Sequence, residues 1–310
     1  SFTPETPDVA QERFATITTP LGDALQLGHV TGHEGLGELF AYEVELISED
    51  PDIDDSQLLG KSATIKITLP KRKTRYINGI ITSFGYASTR GRYVTYHATL
   101  RPWLWLLSQA SDCRIFQHMN VPDVISKVFK DHGCSDFKLT LSGDYPERDY
   151  IVQYRETTLG FVQRLMEQEG IYYYFKHEES RHSLEIVDAI SAHTTQEGYE
   201  KVPFFPPGTF NEQDHIEHWS AERHVRTGAY AFTDFDFKKP LADLSLQLAK
   251  NGKYEHADKE FYDYPGGYET TKDGERYIRA RIESLQEGEL GFSGQGNARG
   301  LGVGMLFELE

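Results

Sequence analysis

The sequences RPWLWLLSQASDCRIFQ at residues 101–117 and YIVQYRETTLGFVQRLMEQEGIYYYF at residues 150–175 decide the fold. They contain or flank two helical patterns with clear first and last residues, set between aromatic strands. No recognisable arrangement of nucleophile, base or metal ligand accompanies these elements. We therefore interpret this part of the chain as a component of an assembly rather than as an enzyme.

The first helical pattern begins at Asn120, a preferred N-cap residue, with Pro122 in the first turn. Gly133 marks its C-terminal end. The apolar residues between them recur at the spacing of one helix face. They are Val121, Val124, Ile125, Val128 and Phe129. The pattern predicts an amphipathic helix that is buried along that face.

A second helix is predicted to begin at Thr157 or Thr158 and to end at Gly170. A third is predicted over about 273–287, with Gly288 after it. In both helices the apolar residues form an inward stripe. They are Phe161, Val162, Leu165 and Met166 in the second helix, and Ile278, Ile282 and Leu285 in the third.

Short runs of alternating apolar and polar residues begin at Phe14. In YEVELI, for example, Tyr42, Val44 and Leu46 face one way and the two glutamates face the other. Such runs, separated by Gly, Pro and Asp clusters, predict an antiparallel barrel or sandwich. Similar aromatic alternation resumes after Pro203, which predicts a second barrel.

The predicted fold class is therefore β-rich α+β, with two small antiparallel β-barrels and an intervening α+β segment. The predicted domains are a flexible lead-in at 1–13, a first β-barrel at 14–101, an α+β segment with two helices at 102–200, and a second β-barrel with one helix at 201–310. In the α+β segment, YIVQY, IYYYF and SLEIVDA are predicted strands, the last two joined by the hairpin HEESRH. Because the sequence stops within the alternating run MLFELE, we expect a fragment of a longer protein.

Composition excludes several classes of protein. With 38% hydrophobic and 26% charged residues, the chain is globular rather than disordered. A net charge of −16 argues against binding to nucleic acid and against an anionic membrane surface. Cys113 and Cys134 are expected to be reduced thiols packed as small apolar side chains. The sequence has no signal-peptide pattern and no apolar run of about 18 residues, so we expect no stable membrane insertion and export by another route.

The histidines do not predict a metal site. His177 and His182 of HEESRH are five residues apart across a hairpin, whereas a zinc-binding HExxH helix needs its histidines four apart. This spacing predicts that the two side chains point in different directions. His215, His218 and His224 are expected to be solvated strand histidines, because the first two lie on opposite faces of a strand.

The carboxylates and glycines do not predict a catalytic site either. Glu167 and Glu169 lie about 200° apart on the second helix and so do not face a common substrate. No helix follows the glycine-rich GQGNARGLG, as a phosphate-binding loop requires. We predict no catalytic residue, no cofactor and no metal. A cell-wall or sugar hydrolase built from distant carboxylates is the enzymatic alternative.

The segments RPWLWLL, DCRIFQ, VPDVISKVF and QYRETTLGFVQRLMEQEGIYYYF closely resemble the N-terminal hub region of VgrG proteins, the spike proteins of bacterial type VI secretion systems. The upstream FAYEVELIS and DDSQLLGKSATIKI and the terminal RGLGVGMLFELE are also similar to that family. The resemblance covers nearly the whole chain from Phe14. The motif residues that carry it, which we expect to be structural, are Arg101, Pro102, Trp103, Arg114, Phe116, Gln117, Gln153, Tyr154, Glu156, Phe161, Arg164, Leu165, Glu167 and Gly170.

The resemblance implies the fold of a contractile phage tail hub, in which three copies form a ring whose six barrels match a sixfold tube. The implied partners are a stack of Hcp hexamers and baseplate components. A PAAR-type tip protein and effectors would be reached through an OB-fold and a β-helix needle, before which this sequence is truncated. The resemblance further implies assembly in the bacterial cytoplasm, followed by secretion into the medium or a target cell. The hub of a prophage or phage-like contractile particle is the nearest alternative.

Overall fold

The computed structural model of the chain describes residues 14–70, 73–209, 213–237, 239–268 and 270–310. The predicted lead-in at 1–13 lies outside these residues. The described residues form two compact units. The first contains the residues up to Trp105 together with Phe175–Ser183, and the second contains Leu106–Tyr174 and Leu184–Glu310.

The first unit is built on six strands. They are β1 (Ala15–Thr18), β2 (Gln26–His33), β3 (Ala41–Ser48), β4 (Ser62–Thr68), β5 (Thr74–Arg90) and β6 (Tyr93–Arg101). All pair antiparallel in the order β1-β4-β5-β6-β3-β2. Two bulges interrupt the pairing of β5 with β6, and bulges bend a strand and increase its twist. The edge strands β1 and β2 approach each other, so the sheet curls as a barrel requires.

The alternation predicted for β3 places its apolar side chains in the core of this unit. Val44 and Leu46 are fully buried, whereas Glu43, which directly precedes Val44, is exposed. Side chains from the other strands and loops complete the core. The largest of these that are fully buried are Leu25, Phe40, Leu58, Ile65, Ile81, Leu100 and Leu104.

The second unit begins with a strand–helix–strand–strand–helix series. Its members are β7 (Ser111–Met119), α1 (Val121–Asp131), β8 (Phe137–Thr140), β9 (Arg148–Thr157) and α2 (Thr158–Glu169). The Asn120 side chain accepts a hydrogen bond from the Asp123 N–H (2.8 Å), which confirms the predicted N-cap of α1. All five predicted apolar residues of α1 are buried. Gly133, just past α1, has the positive φ (74°) of a helix C-terminal glycine.

Helix α2 has the predicted caps at both ends. The Thr157 hydroxyl accepts the Gly160 N–H at 3.0 Å, and Gly170 takes the left-handed conformation with φ 70°. The Ile171 N–H then bonds the Met166 carbonyl at 2.8 Å, which satisfies an end carbonyl of the helix. The predicted stripe from Phe161 to Met166 is buried.

Replacing Leu165 with Ala is expected to lower the free energy of unfolding by about 3 kcal/mol, because the side chain is 1% exposed and its removal leaves a cavity. Urea unfolding at neutral pH measures this loss. Leu106→Ala is the matched control, since Leu106 is 43% exposed and its truncation should cost less than about 0.5 kcal/mol. Equal losses in the two variants would contradict the packing of α2 described above.

The predicted hairpin follows α2. Strands β10 (Tyr172–His177) and β11 (His182–Val187) flank the turn, and β11 also pairs in parallel with β8. Periodicity did not predict this parallel pairing, because alternation reports a side chain's face and not a strand's neighbour. The hairpin tip, Phe175–Ser183, belongs to the first unit, and the rest of the hairpin belongs to the second.

The remaining strands of the second unit are short. They are β12 (Thr194–Thr195), β13 (Lys201–Val202), β14 (Ile216–Arg223), β15 (Ala229–Phe232), β16 (Leu246–Ala249), β17 (Glu260–Asp263), β18 (Leu290–Gly296), β19 (Met305–Leu306) and β20 (Glu308–Leu309). They pair as β12-β19, β13-β20, β14-β18 and β16-β15-β17.

Helix α3 (Thr271–Gln286) packs on β15 and β16. Its buried residues Ile278 and Ile282 join an aromatic cluster, against which Leu285 is partly buried, as the sequence predicted. Gly288 follows with φ 72°.

The predicted fold class is confirmed: the chain is β-rich with three described helices. The domain boundaries at 101 and 200 stay a prediction. The two compact units do not coincide with the predicted domains, because the hairpin tip at Phe175–Ser183 belongs to the same unit as the first six strands.

Candidate interaction surface

Four motif residues of the second unit, two phenylalanines and two arginines, meet on one side of the β7–β9 ribbon. Phe116 of β7 and Phe161 of α2 stack with ring centroids 5.6 Å apart and planes 15° apart. An arginine covers each ring: Arg114 lies 4.8 Å from the Phe116 centroid and Arg164 lies 5.5 Å from the Phe161 centroid. Such cation–π contacts add to the apolar burial, so these side chains fix the ribbon to α2.

Ion pairs hold both arginines in place. Arg114 pairs with Asp131 at the end of α1, and its hydrogen bond holds the pKa of that carboxyl below the usual value. Arg164 forms two hydrogen bonds with Glu156 (2.6 and 3.1 Å), which lower the pKa of Glu156 in the same way. The sequence did not predict these pairs, since the partners are 17 and 8 residues apart.

The other motif residues have separate roles. Gln153 is fully buried between the exposed Val152 and Tyr154, whereas Gln117, Tyr154 and Glu167 are exposed. In the first unit Pro102 and Trp103 are buried, and the guanidinium carbon of Arg101 lies 5.8 Å from the Trp105 ring. Some motif residues therefore pack against each other and the others are exposed, which fits the structural role expected of the motif.

The opposite side of the β7–β9 ribbon carries six uncharged side chains, which we call the outer ribbon face. They are Cys113, Ile115, Gln117, Tyr150, Val152 and Tyr154, and the register pairs Cys113 with Tyr154, Ile115 with Val152 and Gln117 with Tyr150. The apolar members are far more exposed than core residues: Ile115 68%, Tyr150 67%, Tyr154 63% and Val152 38%. Within the described part of the chain, β7 and β9 pair only with each other.

A bulge marks one end of this face. Arg155 is the extra residue opposite the step from Asp112 to Cys113, and it takes φ 51°, which is uncommon for a residue with a side chain. Its guanidinium carbon lies 5.2 Å from the Tyr154 ring. Bulges and charges at a strand end oppose uncontrolled edge pairing. The face itself is thus left available while extension of the sheet is discouraged.

The prediction that Cys113 is packed as a small apolar side chain is wrong. Both cysteines are free thiols, but Cys113 is exposed on the outer ribbon face and Cys134 is half-buried. Burial raises the pKa of the Cys134 thiol. The error arises because cysteine is usually buried, and this strand has apolar residues on both faces.

A second ribbon, β14–β18, is exposed on both sides. The side chains of Trp219, Ala221, Leu290 and Phe292 share one side, which we call the second ribbon face. Trp219 and Phe292 stack 5.6 Å apart there and are 40% and 59% exposed. The other side is polar, as Ser220 illustrates. A two-stranded ribbon on its own has marginal stability in water, so this one needs a cover.

Glu169, at the end of α2, is buried between two arginines. It pairs with Arg148 at the first residue of β9, and its Oε2 lies 2.9 Å from Nη2 of Arg276 in α3. Tyr277 donates its hydroxyl hydrogen to Glu169 Oε1 at 3.3 Å. Glu167 is exposed, which confirms that the two glutamates face apart. Glu169 therefore ties two helices and the start of the ribbon together.

The prediction that His177 and His182 point in different directions is wrong. Both are buried in the first unit, with ring centroids 6.1 Å apart, and both contact Asn78. His182 Nε2 accepts the Trp103 backbone N–H at 2.9 Å, so Nδ1 carries the proton and donates to Asn78 Oδ1 at 2.8 Å. Burial, together with the charge of His177, lowers the pKa of His182 to about 3.

A second polar group adjoins this pair. His177 Nε2 lies 3.4 Å from Glu34 Oε1, and Arg75 lies at the same distance from that oxygen. Burial alone would raise the pKa of Glu34, but contact with His177 and the charge of Arg75 outweigh it and lower the pKa to about 2. These residues form a buried polar network around Asn78 that anchors the hairpin tip.

The other candidate histidines do not converge. His215 is buried with Nδ1 2.7 Å from the Gln213 carbonyl, so the expectation that it is solvated is wrong, while the side chains of His218 and His224 are more than half exposed. Among the residues that the structure describes, no three His, Cys, Asp or Glu side chains are grouped so as to hold a metal ion. The described helices also include none with the length and apolar character needed to cross a bilayer.

The fold and the exposed surfaces are those of a β-rich subunit of an assembly. Capped helices and ion pairs hold its β7–β9 ribbon in place, and apolar faces of both ribbons are exposed. The chain belongs to the phage tail baseplate hub (GPD) family, whose model matches residues 33–310. The resemblance to VgrG proteins inferred from the motifs is confirmed by its relatives.

Two relatives are spike proteins of Pseudomonas aeruginosa. The chain is 47% identical over 302 residues to the type VI secretion system spike protein VgrG1b and 45% identical over 300 residues to VgrG1c. These alignments cover 97% and 96% of this chain but 41% of either relative. The chain therefore spans less than half the length of the curated relatives it matches.

Solved structures agree on the fold. An Escherichia coli protein, described as a component of the type VI secretion system with structural similarity to the T4 bacteriophage tail proteins gp27 and gp5, matches with a TM-score of 0.66 at 21% identity. The match covers 92% of this chain and 64% of that one. A tail protein from Neisseria meningitidis matches with a TM-score of 0.60 at 13% identity, over 90% of this chain and 78% of that one.

Proposed function

We propose that this chain is the structural hub of a type VI secretion spike, in which three copies form a ring that caps the Hcp tube. The observation that carries this proposal is the baseplate hub family match over residues 33–310, together with spike relatives at 45–47% identity. The exposed apolar ribbon faces fit the role, because a ring subunit must keep surfaces free for its neighbours. The hub of a prophage or phage-like tail is the second candidate, supported by the phage tail hub family match and by similarity of fold to a tail protein.

In this proposal the chain acts without catalysis or cofactor. Its place in the whole protein is the base from which a needle, a PAAR-type tip and effectors are carried towards a target cell. The spike would assemble in the bacterial cytoplasm together with baseplate components and then be secreted. The net charge of −16 supports neither nucleic acid nor an anionic membrane as a partner.

Tube capping is the direct test of this function. Purified chain mixed with preformed Hcp tubes should appear in negative-stain electron micrographs as a cap at one tube end, with threefold symmetry in class averages. Tubes that end bare at every concentration of the chain would overturn the proposal. A peptidoglycan and polysaccharide cleavage assay tests the hydrolase alternative, which requires turnover that disappears when one specific carboxylate is replaced.

A further inference from the structure

The β7–β9 and β14–β18 ribbons both leave an apolar side exposed in the same compact unit. Their strands have similar lengths, with 9 and 10 residues in the first pair and 8 and 7 in the second. At about 3.3 Å per residue and about 10 Å across two strands, each face covers on the order of 300 Å². Sheet faces of this kind pack against each other about 10 Å apart.

Charge decides what can cover these faces. The chain has a net charge of −16, so two copies repel each other across most of their surfaces. The six residues of the outer ribbon face and the four of the second ribbon face are all uncharged. The one charged residue in line with the second face is Arg223, paired with Leu290, and a guanidinium packs well against tyrosine rings such as that of Tyr150. A second, equally acidic copy can therefore approach through these two faces.

The symmetry of a ring and the area of each ribbon face also favour a second copy of the chain as the partner. A ring of three needs two different complementary faces on each copy, because a face that pairs with itself closes only dimers. Each ribbon face supplies less than half of the roughly 800 Å² that a stable interface buries on each partner. One such contact is therefore weak, and it becomes effective when a closed ring repeats it three times.

From this we infer that the outer ribbon face of one copy packs against the second ribbon face of the next copy. The occupant of each face is a second copy of this chain, and the contact is heterologous. This inference rests on the proposed function, since it assigns the surfaces through which the ring would close. It also explains why the ribbons carry an exposed Trp219–Phe292 stack and an exposed Ile115 in so polar a chain.

Cys113 offers a native reporter of this contact, because it lies on the outer ribbon face. The experiment uses the full chain with Cys134→Ser, to remove the other thiol, and with Ala221→Cys on the second ribbon face. A short bismaleimide crosslinker is added over a range of protein concentrations, and the products are separated on denaturing gels. We expect crosslinked dimers and trimers whose yield rises with protein concentration.

The matched control is Ser220→Cys, which places the thiol on the opposite side of the same strand. It should give at least about tenfold less trimer, because successive side chains of a strand point to opposite faces and this thiol points away from the contact. Ile115→Asp, added to the Ala221→Cys chain, should remove the crosslink because it puts a charge into the contact. Ile190→Asp, at a side chain 73% exposed elsewhere in the unit, should leave the crosslink unchanged.

Equal yields from Ala221→Cys and Ser220→Cys, or a yield that Ile115→Asp leaves unchanged, would overturn the inference. Tube capping separates this failure from failure of the proposed function. If the chain caps Hcp tubes with threefold symmetry but Ala221→Cys gives no crosslink, then the ring closes through other surfaces and only the ribbon contact is wrong. If neither capping nor crosslinking is seen, both proposals fall.

Discussion

Replacing Glu169 with Gln is expected to lower the free energy of unfolding of the second unit by about 3–5 kcal/mol. The Glu169 side chain is 2% exposed and faces the guanidinium groups of Arg148 and Arg276, whose side chains are 22% and 23% exposed. The glutamine keeps the shape of the side chain but removes its charge, so two largely buried cations lose a counter-ion, and Arg276 keeps only the longer contact with Asp273 at 3.8 Å. Removing one member of a buried ion pair is costly because the remaining charge stays desolvated.

Urea unfolding followed by far-UV circular dichroism at neutral pH measures this effect. Glu167→Gln is the matched control, since Glu167 lies two residues away on the same helix and is exposed. That control should change the stability by less than about 0.5 kcal/mol. If the two variants unfold at the same urea concentration, Glu169 does not hold α2, α3 and β9 together.

The same substitution tests how the ribbon is positioned. Arg148 is the first residue of β9, and Glu169 reaches it from the end of α2. Loss of this pair frees the start of β9, which carries Tyr150 of the outer ribbon face. In the Ala221→Cys chain, Glu169→Gln should therefore reduce crosslinking even under conditions where the chain remains folded.

Much of the fold could be predicted because its signals are local. Asn120, Thr157 and Gly170 each act within four residues of their own position, so single-residue preferences give the ends of α1 and α2. Alternation likewise gave the strands of the first sheet, as Val44 and Leu46 show. These signals do not depend on the rest of the chain, and the structure confirms them.

The interaction surface could not be predicted in the same way, because alternation does not say which face of a strand is covered. In β9 Gln153, at 1% exposure, is buried, as Ile151 is, whereas its apolar neighbour Tyr154 is 63% exposed. Hydrophobicity alone would assign Gln153 and Tyr154 the other way round. Helix α2 determines which side of the ribbon is buried, because its Phe161 covers the side that carries Phe116.

The convergence of His177 and His182 could not be predicted from the sequence for a different reason. His177 and His182 meet at Asn78, which is 99 and 104 residues away in sequence. No local spacing reports such a distant partner. The HEESRH motif invited comparison with metal sites, whereas its histidines instead serve as hydrogen-bonding groups that hold the hairpin tip.

Acidification from pH 6.5 to pH 3.5 is expected to lower the free energy of unfolding of the first unit by about 3.5 kcal/mol through His182 alone. Its pKa in the folded protein is lowered to about 3, below the ordinary value of 6.5. The unfolded chain therefore binds a proton to this side chain at a pH where the folded chain does not. The stabilisation is complete above pH 6.5 and is lost as the pH falls towards 3, at about 1.4 kcal/mol per pH unit.

The surroundings of His182 explain the direction of this change. Nε2 already accepts the Trp103 N–H, so a proton placed there breaks that bond and leaves a buried charge beside His177. Phe40 and Phe175 pack on the ring and offer it no counter-charge. Glu34, the nearest carboxylate in the network, contacts His177 and adds its own acid sensitivity only between about pH 4.5 and 2.

Measurement of stability against pH in the wild type and in His182→Gln separates these contributions. The variant should be less stable at pH 7, yet it should lose much less stability between pH 6.5 and 4.5, where Glu34 does not titrate. His218→Gln, at a side chain 59% exposed, should keep the wild-type dependence. An NMR titration of the His182 imidazole gives an independent readout. A pKa near 6.5 for that ring would contradict the buried, neutral histidine on which the anchoring of the hairpin tip depends.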